Sequence, residues 1–279
     1  MTTQTILITG CSTGIGRALA GEFHARGHVV YATARRMETL DDLKGRGLRI
    51  AALDVNDTAS IASLMRRLET DGATVDMLIN NAGYGAMGPL AEFPAGELQR
   101  QFQTNVFALM AMTQAVIPGM VKRRAGRIVN IGSVSGVLVT PFSGAYCATK
   151  AAVHALSDAL RMELAPFGIQ VITVQPGGIQ SQFGATAGQG VAERSAQLSI
   201  YAPVADAIAA RANASQEDAT PAMDFARQMA DAVLKNNPAP VVRIGHGSTM
   251  MPFLRRWLPL TRLDRILSRR FRLDRLRQG

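Results

Sequence analysis

Tyr146 and Lys150 stand four residues apart at the start of a stretch with helical period, so both side chains project from one helix face. The spacing sets an ammonium beside a phenol. A free tyrosine, titrating at about 10, is a poor proton shuttle at neutral pH, and a nearby positive charge lowers its pKa toward the working range. Such a pair alone is common on solvated helices. Ser133, thirteen residues upstream of Tyr146, ends a strand-like run, and doubly wound sheets place their ligand sites at that end of their strands. Ser135 and Ser143 have no His or acid at a hydrolase spacing, and the chain contains no Gly-x-Ser-x-Gly elbow. His154, eight residues after Tyr146, reads as a core or interface residue. No cluster of His, Cys or carboxylates suggests a metal site.

A second constellation lies near the N-terminus. The strand-like run 5–9 leads into Gly10-Cys11-Ser12-Thr13-Gly14-Ile15-Gly16, and a helical stretch follows. A glycine turn between strand and helix lets backbone approach a pyrophosphate and aims helix N–H groups at its charge. The next strand ends in Ala34-Arg35-Arg36, where an acidic residue would accept the ribose 2′-hydroxyl of NAD and repel the extra phosphate of NADP. A guanidinium fork suits that phosphate, and Ser12 and Thr13 add hydroxyl donors. Arg35 is assigned to it; the competing reading makes Arg35 and Arg36 solvated residues opening the next helix.

These residues need a sheet to hold them. Short β-branched runs (5–9, 29–33, 49–53, 77–80, 127–131, 170–175 and 241–244) alternate with longer segments of helical period (16–26, 59–69, 97–123, 145–167 and 225–234). About seven strands separated by about six helices predict an α/β fold with a doubly wound parallel sheet, apolar on both faces. At 279 residues and 47% hydrophobic content the chain fits one domain with a large core, residues 1–247. A Gly-, Ala- and Ser-rich insertion, residues 183–221, reads as a lid over the site. With no secretory or membrane-spanning segment, and with Cys11 and Cys147 far apart, the expected setting is the cytoplasm, thiols reduced.

The charge is uneven. Of the net +9, residues 241–279 contribute +8, ten arginines against Asp264 and Asp274, and the body is nearly neutral. Trp257 and Phe271 stand alone among those arginines, without the interleaved aromatics that stack on nucleic acid, so no nucleic-acid partner is expected. Residues 248–279 form a basic extension: an aromatic and apolar segment, 250–260, then a helix from Arg262. Thr261 and Asp264 resemble a capping box, and Leu263, Ile266, Leu267 and Phe271 fall at helical spacing. Two fates are open: the apolar face lies in a membrane interface, or it folds back over the substrate pocket and leaves the arginines solvated.

Four motifs then occur in one order: Thr9-Gly10 with Gly14 and Gly16, Asn80-Asn81-Ala82-Gly83, Tyr146 with Lys150, and Pro176-Gly177. Their spacing resembles that of the short-chain dehydrogenase/reductase family over roughly residues 4–244, and most nearly its members acting on hydroxysteroids, retinoids and other lipophilic carbonyls. The resemblance implies a Rossmann fold and NADP(H) as cofactor. It makes Tyr146 the general acid and base, Ser133 a hydrogen-bond partner of the substrate oxygen, Lys150 the holder of the nicotinamide ribose that lowers the tyrosine pKa, and Asn105 the anchor of a relay water. It further implies that Asp54 and Val55 border the adenine, that Asn81, Ala82 and Gly83 support the adenosine side, and that Pro176, Gly177, Ile179 and Ser181 meet the nicotinamide end. Ser181 stands where the family commonly has Thr, and keeps the hydroxyl. The function expected is reduction of a lipophilic ketone or aldehyde, reversibly oxidation of a secondary alcohol. Tyr84, Met87, Val134, Leu138, Phe142 and Phe183 are candidates to line the pocket. The alternative is a non-catalytic NADPH sensor on the same fold. Family habit also implies a homodimer or homotetramer paired through the long fourth and fifth helices, and Ala148, Ala151, Ala152, Ala155 and Ala159 permit close packing between subunits or equally within one.

Overall fold

The computed structural model describes residues 2–188 and 190–277. Its seven strands are β1 (Thr5–Ile8), β2 (Val29–Ala34), β3 (Arg49–Ala52), β4 (Met77–Asn80), β5 (Gly126–Ile131), β6 (Ile169–Pro176) and β7 (Val241–Ile244). All pair in parallel, in the order β3-β2-β1-β4-β5-β6-β7. The order reverses between β1 and β4, which opens a crevice beyond the strand ends.

The helices are α1 (Gly14–Ala25), α2 (Asp41–Gly45), α3 (Thr58–Thr70), α4 (Ala95–Phe102), α5 (Ala108–Arg123), α6 (Gly144–Leu164), α7 (Phe183–Gly188), α8 (Val191–Ala196), α9 (Ala205–Asn213), α10 (Ala222–Val233), α11 (Met250–Trp257) and α12 (Leu260–Arg270). They cover both faces of the sheet, and the strand period of two divides the core accordingly. Ile6 and Ile8 pack with Leu19 and Phe23 of α1 and Phe225 and Met229 of α10. Leu7, between them, joins Leu64 of α3, Met112 and Val116 of α5 and Leu160 of α6 on the other side. A continuous apolar strand is the pattern this double covering requires. A π-helical turn, Gln103–Phe107, links α4 to α5, giving 29 helical residues apolar and long enough for a membrane span. Met112, Val116 and Met120 spend its inner face on the sheet core instead.

A third core lies beyond the strand ends, where residues 183–221 meet the C-terminal extension. Met87, Phe142, Val204, Ile208 and Phe271 are buried together there, with Leu267, Leu273 and Leu276 against them. Of the two fates open to the extension, its inner face takes the packing over the pocket: Leu263 and Phe271 are only 3% and 8% exposed. Two local expectations are corrected. The helix expected from Arg262 starts at Leu260, behind Pro259, and Thr261 gives it no side-chain cap; the aromatic and apolar segment before it forms α11. Proline carries no N–H and its φ of -54° is already set for a helix, so the turn begins without a capping box. The outer face of the extension stays open, with Phe253, Trp257 and Leu260 exposed among Arg255, Arg256, Arg262, Arg265 and Arg269.

Candidate active site

One cavity of about 1120 Å3 runs from the glycine turn past Tyr146 to the C-terminal helices. Every residue assigned to the cofactor lines it except Gly16. At the turn, Gly10 and Gly14 have φ of +72° and +57°, the left-handed region that favours glycine. Gly16 lies behind them. A Cβ there would stand 2.4 Å from both the Gly10 carbonyl oxygen and the Asn81 amide nitrogen, so this glycine brings α1 close rather than meeting a ligand.

The turn is clamped from the neighbouring strand. Asn81 Nδ2 donates to the carbonyls of Thr9 at 2.9 Å and Gly10 at 3.0 Å, while Thr9 Oγ1 accepts from the backbone of Asn81 and Ala82. Asn81 therefore holds the shape of the cradle. Arg35 is exposed on the cavity rim beside Ser12 and Thr13, and no carboxylate pairs with it among the described residues. Arg36 points elsewhere, at the start of the 3-10 turn Met37–Leu40. Asp54 closes its own turn by accepting from Asn56 N at 2.9 Å. At the far end, Gln216, in the turn after α9, fixes the 179–181 segment: its side-chain oxygen accepts from Ser181 N, and its Nε2 donates to the Ile179 carbonyl.

Tyr146, Ser133 and Lys150 come together at the centre. Tyr146 is 8% exposed, and burial pushes its phenol up to about 12, against the opposing pull of the Ser133 hydroxyl and the Arg211 charge. Ser133 Oγ accepts from Ser135 N at 3.1 Å, which leaves its own proton to donate into the cavity. Lys150 Nζ donates to the Ile131 carbonyl at 2.7 Å and sits 5.8 Å from the Tyr146 ring. Burial brings the lysine down to about 8. The expected net lowering of the tyrosine pKa is not found in the protein alone: desolvation dominates and the phenol lies above its free value, with the Ser133 hydrogen bond and the Arg211 charge pulling it down.

Asn105 sits on the π-helical turn, behind the cavity wall. Its amide donates to Tyr84 O at 2.8 Å and Thr149 Oγ1 at 3.1 Å, and its oxygen accepts from Tyr84 N. Of the pocket candidates, Tyr84, Met87, Val134, Leu138 and Phe183 line the cavity. Phe142 does not. Its φ of +64° turns the ring into the third core, edge-on to Tyr201 and Phe271.

The structure adds His154 and Arg211, which the sequence did not assign to the site, to the extension whose fold-back the sequence left open. His154 supports Ser133 from behind: its Nε2 accepts from Ser133 N at 3.4 Å, and burial holds the ring down to about 4, hence neutral. Gly132 and Gly136 make room for that ring, since a Cβ on either would come within 2.6 Å of it. Met251, Leu254, Leu263 and Phe271 of the extension wall the cavity, and so does Arg211 of α9. For His154 the hint was the pair of glycines around it; for the extension it was the helical spacing of Leu263 and Phe271.

Comparison with known proteins agrees with this geometry. Residues 4–192 match the short chain dehydrogenase family. The 3-ketodihydrosphingosine reductase of Bacteroides thetaiotaomicron is 37% identical over 203 residues, 72% of this chain and 73% of that protein. Serine dehydrogenase in its closed form, complexed with NADP+, superposes with a TM-score of 0.76 at 28% identity, covering 87% of this chain and 94% of the other. A short chain dehydrogenase/reductase from Burkholderia phymatum in complex with NAD gives 0.75 at 26% identity, covering 95% of each chain. Sheet order, glycine cradle and the central Ser, Tyr and Lys define an oxidoreductase on a dinucleotide-binding fold. The chain belongs to the short-chain dehydrogenase/reductase family.

Proposed function

We propose that this enzyme uses NADPH to reduce a lipophilic ketone or aldehyde, and in reverse oxidises the secondary or primary alcohol. The observation that carries the reading is the continuity of one cavity, from the glycine cradle through Tyr146 into a chamber walled by Met251, Leu254, Leu263 and Phe271. The donor set fits the nucleotide: helix N–H groups behind Gly14, the hydroxyls of Ser12 and Thr13, and the Arg35 guanidinium on the rim for a 2′-phosphate. When bound, the nucleotide supplies a hydride from its nicotinamide.

The chain supplies the proton. With its phenol at about 12, Tyr146 is protonated at neutral pH, the form that gives a proton to a carbonyl oxygen as negative charge develops there. Ser133 donates a second hydrogen bond to that oxygen. Lys150 holds the ribose, and Asn105 keeps the Tyr84 backbone in place at the cavity edge. The test is a panel of ketones, aldehydes and alcohols with NADPH and NADP+, followed by nicotinamide absorbance. Turnover of carbonyls with a long apolar body, whether neutral or with one charged end, and silence with sugars supports the reading; the converse refutes it.

The exposed Phe253 and Trp257, 60% and 66% accessible on α11 among the exposed Arg255 and Arg256, support peripheral contact with an anionic bilayer as the substrate source. Co-sedimentation with anionic and neutral liposomes, with the full chain and one ending at Gly247, checks this. Ala148, Ala151 and Ala155 are exposed along α6, near the exposed Phe107, which favours pairing of two copies through this face. Light scattering reads that state.

A further inference from the structure

Arg211 is a charge in an unusual place. It projects from α9 of the lid into the wall of the substrate chamber and is only 8% exposed. Its Nε donates to Thr140 Oγ1 at 3.0 Å, and its Nη2 donates to Ser143 Oγ at 3.2 Å. Both partners are neutral. The guanidinium lies 5.9 Å from the centre of the Phe271 ring, which is neutral too. Among the described residues no carboxylate pairs with it, whereas two other arginines near the lid, Arg272 and Arg275, both reach Asp206. Its other charged neighbour is a second cation, Arg270, which lines the same cavity.

A buried ion without a counter-ion is costly, and proteins ordinarily meet that cost with a paired charge. Here two hydroxyls orient one edge of the fork, and Nη1 is left without a protein acceptor among the described residues. A planar fork with free donors on a chamber wall matches a carboxylate or a phosphate. The extension supplies an apolar wall, Met251, Leu254, Leu263 and Phe271, and the same cavity is also lined by Arg270, Glu217 and Asp218. Tyr146 feels the Arg211 charge, so the anchor and the reacting end share one chamber.

Resting on the reductase reading above, we propose that Arg211 anchors an anionic group of the substrate, so that the chamber takes an anionic amphiphile carrying the carbonyl. The specificity then has two parts, an apolar body against α11 and α12 and one negative end on the lid. Because α9 carries the anchor, an anion also ties the lid to the loop holding Thr140 and Ser143.

The experiment compares dodecanoate, dodecyl phosphate and dodecanol binding to the full-length protein with NADP+, by calorimetry at pH 7. The anions are expected to bind about ten- to a hundredfold more tightly than the alcohol, the range of one hydrogen bond to a charged group. The stronger of the two identifies the group. In Arg211→Met the preference disappears, and in Arg211→Lys part of it returns; the arginines of the extension remain in both, so a preference owed to them persists. A kinetic arm uses a long-chain oxo acid and its methyl ester, where the KM ratio of the two carries the effect and kcat does not. A merely structural Arg211 moves the melting temperature and leaves that ratio unchanged, which overturns the proposal. Equal binding of dodecanol and the anions by the unaltered protein overturns it without any variant. Failure to bind NADP(H), or to reduce any carbonyl, defeats the reductase reading instead and is read in separate titrations.

Discussion

Replacing Phe271 with Ala should detach the C-terminal extension while leaving the sheet folded. Phe271 is 8% exposed, edge-on to Phe142 with centroids 6.4 Å apart, and beneath the Arg211 guanidinium. Returning its ring to water costs about 2 to 3 kcal/mol in lost burial. The edge contact adds about 1 kcal/mol and the cation–π contact about as much. The total, about 4 kcal/mol, falls on one small core, because the two clusters flanking the sheet contain no residue of the extension. Local opening is therefore expected before global unfolding. Limited trypsin digestion reads it directly, since the arginines from 255 onward are cleavage sites: cleavage there should accelerate at least a hundredfold, while the urea midpoint of the body moves little. Unchanged cleavage together with a large fall in global stability would refute the reasoning, placing the extension inside the main cooperative unit.

Tyr146→Phe should abolish turnover and leave NADPH affinity nearly intact by calorimetry, because the phenol acts on the substrate oxygen. The unaltered protein should prefer NADPH to NADH by about 1 to 3 kcal/mol, the scale of a charge-assisted contact, and Arg35→Asp should reverse the preference in paired titrations. Lys150, brought down from 10.5 to about 8, is neutral in the fold over a range where the unfolded chain still binds its proton. Stability of the protein without nucleotide should therefore rise from pH 8 toward 10.5 by up to about 3 kcal/mol relative to Lys150→Met, measured by urea unfolding across that range.

The sheet was legible because its signals are local and repeated. Strands 77–80 and 241–244 are bounded by turn residues, the first buried on both faces and the second at the sheet edge with Arg243 exposed, and the structure returns those limits unchanged. The cradle was legible for the same reason, its glycines lying within seven consecutive positions. Arg211 was not, since a single cation in a weakly periodic segment looks solvated until the fold places Phe271 over it. The extension divided along the same line: its amphipathic spacing marks a buried face, but what Phe271 is buried against comes from far back in the chain, Phe142 and Val204 among others. Lys150 shows a third limit, as the residue types announce a charge pair while depth of burial decides who keeps the proton.

The order in which the walls of the cavity are synthesised has a consequence. A polypeptide leaves the ribosome N-terminus first, and here the nucleotide cradle is drawn from early residues, Gly10 to Val55 with Asn81 to Gly83, whereas part of the substrate wall comes from Met251 to Phe271. The nascent chain thus owns the cofactor half of its cavity well before the other half exists. A stop codon soon after Gly247 would leave the seven strands and the glycine turn encoded and remove the part of the cavity wall that α11 and α12 supply. Changes at the end of the gene can therefore reshape that wall without touching the residues of the turn.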